Sequence, residues 1–563
     1  MSLRCGLKLR CGLTLRRGLG LFGGLGLGAL VLASGCSSDD PAQESSFKPF
    51  DYAAMGPLSG NSGKGSFRFG AASADAQIED QNTNTDWWVW TTPVDQGGLG
   101  KGNDPVGEAT QGYTRAIDDI QLMTDMHLDS YRFSMSWARI EPQRDQVDEA
   151  ALEHYSQELD ALIAAGIRPN VTIHHFSYPV WIDDPRDPEC AAGPSDANLC
   201  GLGHPQGGAL VVEEMRQFAK LLAERFGDRV DDWATVNEPV NYLLAGHGVG
   251  QFPPGKAKLF SLLDGFMPVV RDYLSGHAAM YHAVKEADSI DADGDGIAAN
   301  VGLTLSVGEW APARDNEPSE DPEDVSAAER LKYVYHYMVP DAMLTGKFDA
   351  DLDGTAEEDQ PGWKGTLDWM GVQYYFRAGV TGKNGLVPEP LKLTPCFSAF
   401  DFGSCLLPTD PSWCVPEMQY EYYPEGLYNV LHAYGKRYPE LPLVVSESGI
   451  ATEVGERRAS NIVRALEQIE RARAEKVDIR GYYYWSLTDN FEWVEGFGPR
   501  FGLYSVDYDT YERTPTLGAE VLGKIAETRK LSQEYRDLYG GDGPMTPEGT
   551  FGPRTLCSGK DLP

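Results

Sequence analysis

The sequence predicts an α/β protein built as one (β/α)8 TIM barrel, a single catalytic domain with loop insertions. Two observations carry that expectation. Eight short runs rich in β-branched and aromatic residues alternate with amphipathic stretches along the 563-residue chain. The runs are apolar enough to be buried on both faces, as parallel strands under flanking helices must be. In addition, Glu238 and Glu447 each sit near the C-terminal end of such a run. In a parallel barrel those ends meet at one rim, where the functional groups gather.

Residues 1–35 come first and carry Arg4, Lys8, Arg10, Arg16 and Arg17 with no acidic residue, then a Gly/Leu/Ala run and the small residues Ala33-Ser34-Gly35. This is the pattern of an export signal, and the run is too short and Gly-rich for a spanning helix. Cys36 directly after it resembles a bacterial lipobox, which would make Cys36 the lipidated first residue of the mature chain. Arg16-Arg17 fits a twin-arginine signal poorly. Ser37 follows Cys36, which by bacterial sorting rules leans towards the outer membrane. An exported protein of the bacterial envelope, periplasmic or at the cell surface, is the expectation. Residues 36–65 are polar and lack periodic apolar positions, so they predict a flexible tether.

The barrel is expected over 66–530. Its strand candidates are FRFGAAS (67–73), DSYRFSMSW (129–137), RPNVTIHHF (168–176), WATVNEP (233–239), VGLTLSV (301–307), LDWMGVQYY (367–375), LPLVVSES (441–448) and RGYYYWSL (480–487). Between them, Leu152, Tyr155, Leu159 and Leu162 before Gly166 have helical spacing. So do Met215, Phe218, Leu222 and Phe226 before Gly227. Apolar residues three and four apart, closed by glycine, predict helices that pack one face on the sheet. Residues 531–563 lose this periodicity and predict a C-terminal tail.

A net charge of −36 disfavours nucleic acid and anionic lipid, whose phosphates need basic partners. Contact with a membrane is expected through the lipid anchor only. Export makes disulfides possible. Six cysteines follow Cys36 and allow 15 pairings. Cys190 and Cys200 flank one loop and form the favoured pair. No Cys/His spacing resembles a zinc site. Asp291, Asp293 and Asp295, then Asp349, Asp351 and Asp353, begin like calcium loops, but Gly302 and Gln360 stand where the bidentate Glu should be. Solvated acidic loops are the expectation, and no cofactor or metal is called for.

Every strand tip except the fifth carries polar or aromatic residues: Gln77 and Glu79 after the first, Arg132 on the second, His174-His175 on the third. Asn237-Glu238 follow on the fourth, Tyr374-Tyr375 on the sixth, Glu447 on the seventh, and Trp485 with Glu492 and Trp493 after the eighth. Paired donors and acceptors beside indole rings suit a sugar, whose hydroxyls need partners and whose apolar face stacks. Two opposed carboxyls suit cleavage of its acetal.

TVNEP, SESG, YRFSMSWARI, the Gln-Ile-Glu segment and GYYYWSLTDNFEW followed by RFGL together resemble glycoside hydrolase family 1, the β-glucosidase family. The resemblance implies Glu238 as acid/base and Glu447 as nucleophile, with Arg132 and Tyr375 supporting the nucleophile. It implies Gln77, His175, Asn237, Tyr375, Trp485, Glu492 and Trp493 as sugar contacts. A carboxylate at Glu492 favours unphosphorylated sugars. Ser446, Ser448, Gln373, Phe176 and Asp80 depart from the usual pattern without removing a catalytic carboxyl. The function implied is a retaining β-glycosidase, foremost a β-glucosidase acting on small β-glycosides or cello-oligosaccharides. β-Galactosidase, β-fucosidase and transglycosidase activity, or a non-catalytic sugar-binding lipoprotein, stay open, as do the aglycone and the oligomeric state. His174 is expected to pack rather than bind, Glu79 to support the rim, and Trp87, Trp88 and Trp90 to pack or to line an outer subsite.

Overall fold

Eight strands pair parallel, in chain order, into a closed cylinder: β1 (Arg68–Ala72), β2 (Ser130–Ser134), β3 (Arg168–His174), β4 (Asp232–Asn237), β5 (Asn300–Arg314), β6 (Trp369–Thr381), β7 (Leu443–Ser448) and β8 (Ile479–Trp485). Each matches one predicted run. Pairing of Ala72 with Trp485 between β1 and β8 closes the barrel. The structure, a computed structural model, describes residues 67–548 with 295, 397–401, 407 and 409 excepted. The expected signal, the tether, Cys36, Asp295 and Cys557 lie outside the described residues.

Helices cover the cylinder: α1 (Ala116–Asp125), α2 (Glu149–Ala164), α3 (Gly208–Phe226), α4 (Pro239–Leu243), α5 (Met267–Ala287), α6 (Pro322–Lys332), α7 (Met338–Thr345), α8 (Pro424–Arg437), α9 (Gly455–Ala474) and α10 (Leu517–Thr528). α2 shows why they form where they do. The Asp148 carboxylate accepts from the Ala150 and Ala151 amides at its start, Leu152, Tyr155, Leu159 and Leu162 are buried, and Gly166 turns the chain at φ 77°. Each such buried aliphatic side chain stabilises by roughly 1.5–3 kcal/mol. No helix among the described residues is long and apolar enough to cross a membrane.

Two features differ from expectation. β5 and β6 continue past the predicted runs and stay paired above the rim, from Glu309 opposite Arg377 to Pro312 opposite Val380. The Arg377 guanidinium there donates to both Glu421 oxygens, at 2.6 and 2.7 Å, which ties a later loop to this wall. The stretch after 531 is not an aperiodic tail throughout. It carries α11 (Gln533–Tyr539), whose Arg536 pairs with Glu467 and Glu470 on α9, and its Glu548 carboxylate accepts from Thr452 Oγ1 at 2.8 Å. The missing signal has a cause: beside its ion pairs, α11 packs only Tyr535 and Tyr539, half-buried, against the core, too short an apolar stripe to read in seven residues.

Cys190 and Cys200 form the expected disulfide, and Cys396 joins Cys405.

Candidate active site

The register of the barrel brings the strand tips together. Asn237 pairs with Thr304, and Glu447 with Gln373. The pairing shifts just before both positions, between Ala234 and Asn237 and between Val445 and Glu447, and such irregularities re-aim the next side chain. Glu238 itself adopts φ 40° and ψ 61°, a left-handed conformation that costs a non-glycine residue about 1–2 kcal/mol. The chain turns there and Pro239 opens α4. Both carboxyls line one cavity of about 300 Å³, together with His175, Asn237, Tyr375, Trp485, Glu492 and Trp493.

A buried guanidinium organises the floor. Arg132, fully buried on β2, donates to Glu447 Oε1 at 2.5 Å and to Asn237 Oδ1 at 2.6 Å. The Tyr375 hydroxyl donates to the other Glu447 oxygen at 2.7 Å. Asn237 Oδ1 also accepts from Thr304 Oγ1 at 2.8 Å and Gln373 Nε2 at 2.7 Å. With three donors on its oxygen, the Asn237 side chain has its amide NH₂ left to offer a ligand.

The two carboxyls stand in opposite settings. Burial pushes the Glu238 carboxyl up to about 8, and the Glu447 charge pushes in the same direction. Its direct partner is the neutral Asn241 amide, at 2.9 Å. Burial raises Glu447 as well, but there the Arg132 charge and the Tyr375 and Arg132 hydrogen bonds oppose it. One group is therefore disposed to hold a proton at neutral pH and the other to stay ionised. This is the division of labour that cleavage of an acetal by two carboxyls requires.

On the far side of the cavity Glu492 is raised to about 8, by burial first and then by the Glu447 charge. Gln77 Nε2 donates to the Phe491 carbonyl at 2.8 Å and lies 3.4 Å from Glu492 Oε2, while Gln77 Oε1 has no partner. Gln77 is wholly buried, behind the residues that line the cavity. The His175 ring is held neutral, with its pKa well below the usual imidazole range through burial and then the Arg132 charge. Trp493 packs on Trp87 at 4.8 Å between ring centroids.

The fifth strand tip, expected to be bare, contributes. Thr304 supports Asn237, and Ser306 lines the cavity near Glu238, where its hydroxyl draws the carboxyl pKa down. The alternation Thr304-Leu305-Ser306 was the available signal, since it puts two hydroxyls on one face. Asn241, Gln251, Phe252, Met418, Tyr420 and Glu495 also line the cavity. They come from loops and a helix start, where no period marks them.

His174 packs away from the cavity, its Nδ1 2.8 Å from the Tyr273 hydroxyl. Glu79 accepts from Tyr155 and Arg139 at the rim. Trp87 and Trp90 are core residues. Neither acidic loop joins the cavity. Asp349, Asp351 and Asp353 cluster with Glu357, and Asp291 and Asp293 cluster with Asp231, where Asp293 meets Arg168.

Comparison with known proteins gives a consistent picture. The family model described as Glycosyl hydrolase family 1 matches residues 61–531. A β-galactosidase of Pyrococcus woesei is 29% identical over 83% of this chain and 98% of its own length. "Beta-glucosidase 28" of Arabidopsis thaliana is 29% identical over 71% of this chain and 70% of its own. The solved structure of a β-glycosidase from Pyrococcus horikoshii superposes with a TM-score of 0.69 at 28% identity, covering 88% of this chain and 99% of that one.

Proposed function

Because the chain belongs to glycosyl hydrolase family 1 and is a β-glycosidase hydrolysing O-glycosyl bonds, we propose that it is a retaining β-glucosidase acting on unphosphorylated terminal β-D-glucosyl groups. The observation that carries this reading is the opposed pair. Glu447 is hydrogen-bonded on both oxygens by Arg132 and Tyr375, and Glu238 is raised to about 8.

In the first step a Glu447 oxygen attacks the anomeric carbon while Glu238 gives its proton to the glycosidic oxygen. The C–O bond breaks, the alcohol leaves, and a glycosyl ester forms on Glu447. That ester is neutral. The Glu447 charge that helped hold the proton on Glu238 is gone, so the Glu238 pKa falls and the carboxylate stays ionised, free to accept a proton, at the moment a base is needed. It takes a proton from water, the water oxygen attacks the anomeric carbon, and the ester bond breaks. Two inversions restore the starting configuration and both carboxyls.

Glu492 supports the choice of sugar. A carboxyl at the far edge of the cavity suits the hydroxyls of an unmodified ring, and no Lys or Arg among the described residues lines the cavity to receive a phosphate. The Pyrococcus woesei relative carries the name β-galactosidase, so galactose is the competing glycone. Hydrolysis of aryl β-D-glucoside, galactoside and fucoside separates them. A kcat/KM highest for the glucoside, with β-glucose as the first anomer seen by NMR, is expected. A preference for galactoside replaces the glycone, and an α-anomer as first product overturns the mechanism.

We also propose that Cys36 carries a lipid anchor to the bacterial envelope, supported by the Ala33-Ser34-Gly35-Cys36 sequence after an apolar run.

A further inference from the structure

The catalytic cavity adjoins a second one, with which it shares part of its wall. This neighbour has a volume of about 470 Å³ and shares Asn241, Gln251, Phe376, Met418 and Tyr420 with the first. Its size falls in the range of about 300–1,000 Å³ that holds a drug-sized ligand. The lining is mostly aliphatic, with Leu244, Leu262, Val270, Val334, Met338 and Leu393 representative. The rings of Phe266, Trp310, Tyr335, Phe376 and Tyr420 stand among them. Polar side chains such as Asn241, Gln251 and Glu495 stand at the shared mouth. The walls come from the first turns after Glu238, the segment from Leu259 to Leu274, the run from Leu331 to Val339, and the loops that carry Leu391, Leu393 and Met418. The extended parts of β5 and β6 close it with Trp310, Phe376 and Ala378.

Position decides what such a space is for. Pro239, Val240, Asn241, Leu243 and Leu244, which follow Glu238 directly, line it. The Tyr335 phenol, also on its wall, is pushed up by burial and then by the Glu238 charge. The group that protonates the leaving oxygen therefore stands at the entrance. An alcohol released at Glu238 has this cavity beside it. The outer edge is apolar too: on the segment whose Leu259, Leu262 and Phe266 face inward, Phe260 is 71% and Leu263 43% exposed.

We propose that this cavity is the aglycone site and that the substrates are β-glycosides of long or bulky aliphatic alcohols. The inference rests on the glycosidase reading and names its leaving group. A second sugar is a poor occupant, because its hydroxyls would lose water and find few partners on aliphatic walls. An alkyl chain loses nothing there, and each methylene removed from water contributes about 0.8 kcal/mol.

The test is a series of alkyl β-D-glucosides from methyl to octyl, below micelle-forming concentrations, beside an aryl glucoside and cellobiose. Alkyl alcohols differ little as leaving groups, so the series reads binding in the transition state. kcat/KM is expected to rise roughly fourfold per methylene, on the order of 10⁴ from methyl to octyl, with cellobiose below octyl glucoside. Val334→Trp and Val270→Trp, on different walls, are each expected to flatten the series, read as the ratio of octyl to methyl. A flat series in the unaltered protein, or a slope that survives in both variants, overturns the proposal while aryl glucoside turnover leaves the glycosidase reading standing. Turnover of no β-glycoside overturns both.

Discussion

The two adjoining cavities are built on opposite principles. In the catalytic cavity polar groups come from strand ends and are fixed by other polar groups: Arg132 alone binds Glu447 and Asn237, and Asn237 Oδ1 takes three donors. Its neighbour is walled mainly by aliphatic side chains of helices and helical turns, with no such network. The first arrangement orients a ligand atom by atom, since a misplaced hydroxyl leaves a buried partner unpaired. The second rewards apolar area and is indifferent to fine orientation. One enzyme can thus be exacting about the sugar and tolerant about what the sugar is attached to.

Removing the attacking group should break the polar half most completely. Glu447→Gly is expected to lower kcat/KM on aryl β-glucoside by on the order of 10⁵, the scale on which loss of a nucleophile registers. Azide added to that variant should give the α-glycosyl azide, because it attacks once from the emptied face. Glu238→Ala with azide should give the β-azide, through the ester on Glu447. Thin-layer chromatography and NMR of the products check both, and exchanged anomers would reverse the roles assigned to the pair.

Arg132→Met sharpens the contrast with a smaller loss, about 10²–10³ in kcat/KM, comparable to deleting one preorganised charge-stabilising donor. The pH profile gives the sign. Burial raises Glu447 and Arg132 opposes that rise, so without the guanidinium the carboxyl protonates at higher pH. The acid limb of kcat/KM should therefore move up towards neutrality. The alkaline limb, set in the unaltered protein by Glu238 near 8, should not move down. The octyl-to-methyl ratio should stay as it was, because Arg132 does not reach the aliphatic cavity. A collapse of that ratio together with the pH shift would mean the two cavities are not separable.

The same contrast explains what could be read from the residues. All eight strands and the principal carboxyls stood out because a buried strand is a short apolar run, and a charged residue at its end is an anomaly that demands a use. The aliphatic cavity left no such mark. Leu262, Phe266, Val270 and Leu274 have the spacing of any helix packed on a sheet, and only the fold reveals space in front of them. The extension of β5 to Arg314 was hidden for a related reason: Glu309, Trp310 and Pro312 interrupt the β-branched pattern, and pairing with β6 holds them in line. The ion-paired helix α11 escaped because charge on a surface helix has no fixed period.

The smallest expected effect tests a residue the strand-tip reading left out. Thr304→Val removes one of three donors on Asn237 Oδ1 and keeps the shape of the side chain. Arg132 and Gln373 still hold that oxygen, so no acceptor is orphaned, and the loss of one neutral hydrogen bond should cost about 0.5–1.5 kcal/mol. That corresponds to a several-fold fall in kcat/KM, and it should be the same factor whatever the aglycone. The factor should be larger for substrates with the ring hydroxyl that Asn237 meets than for the analogue lacking it, since the threonine acts only by aiming that amide. Equal losses on both would show that Thr304 merely stabilises the barrel, and the fifth strand would then belong to the scaffold and not to the site.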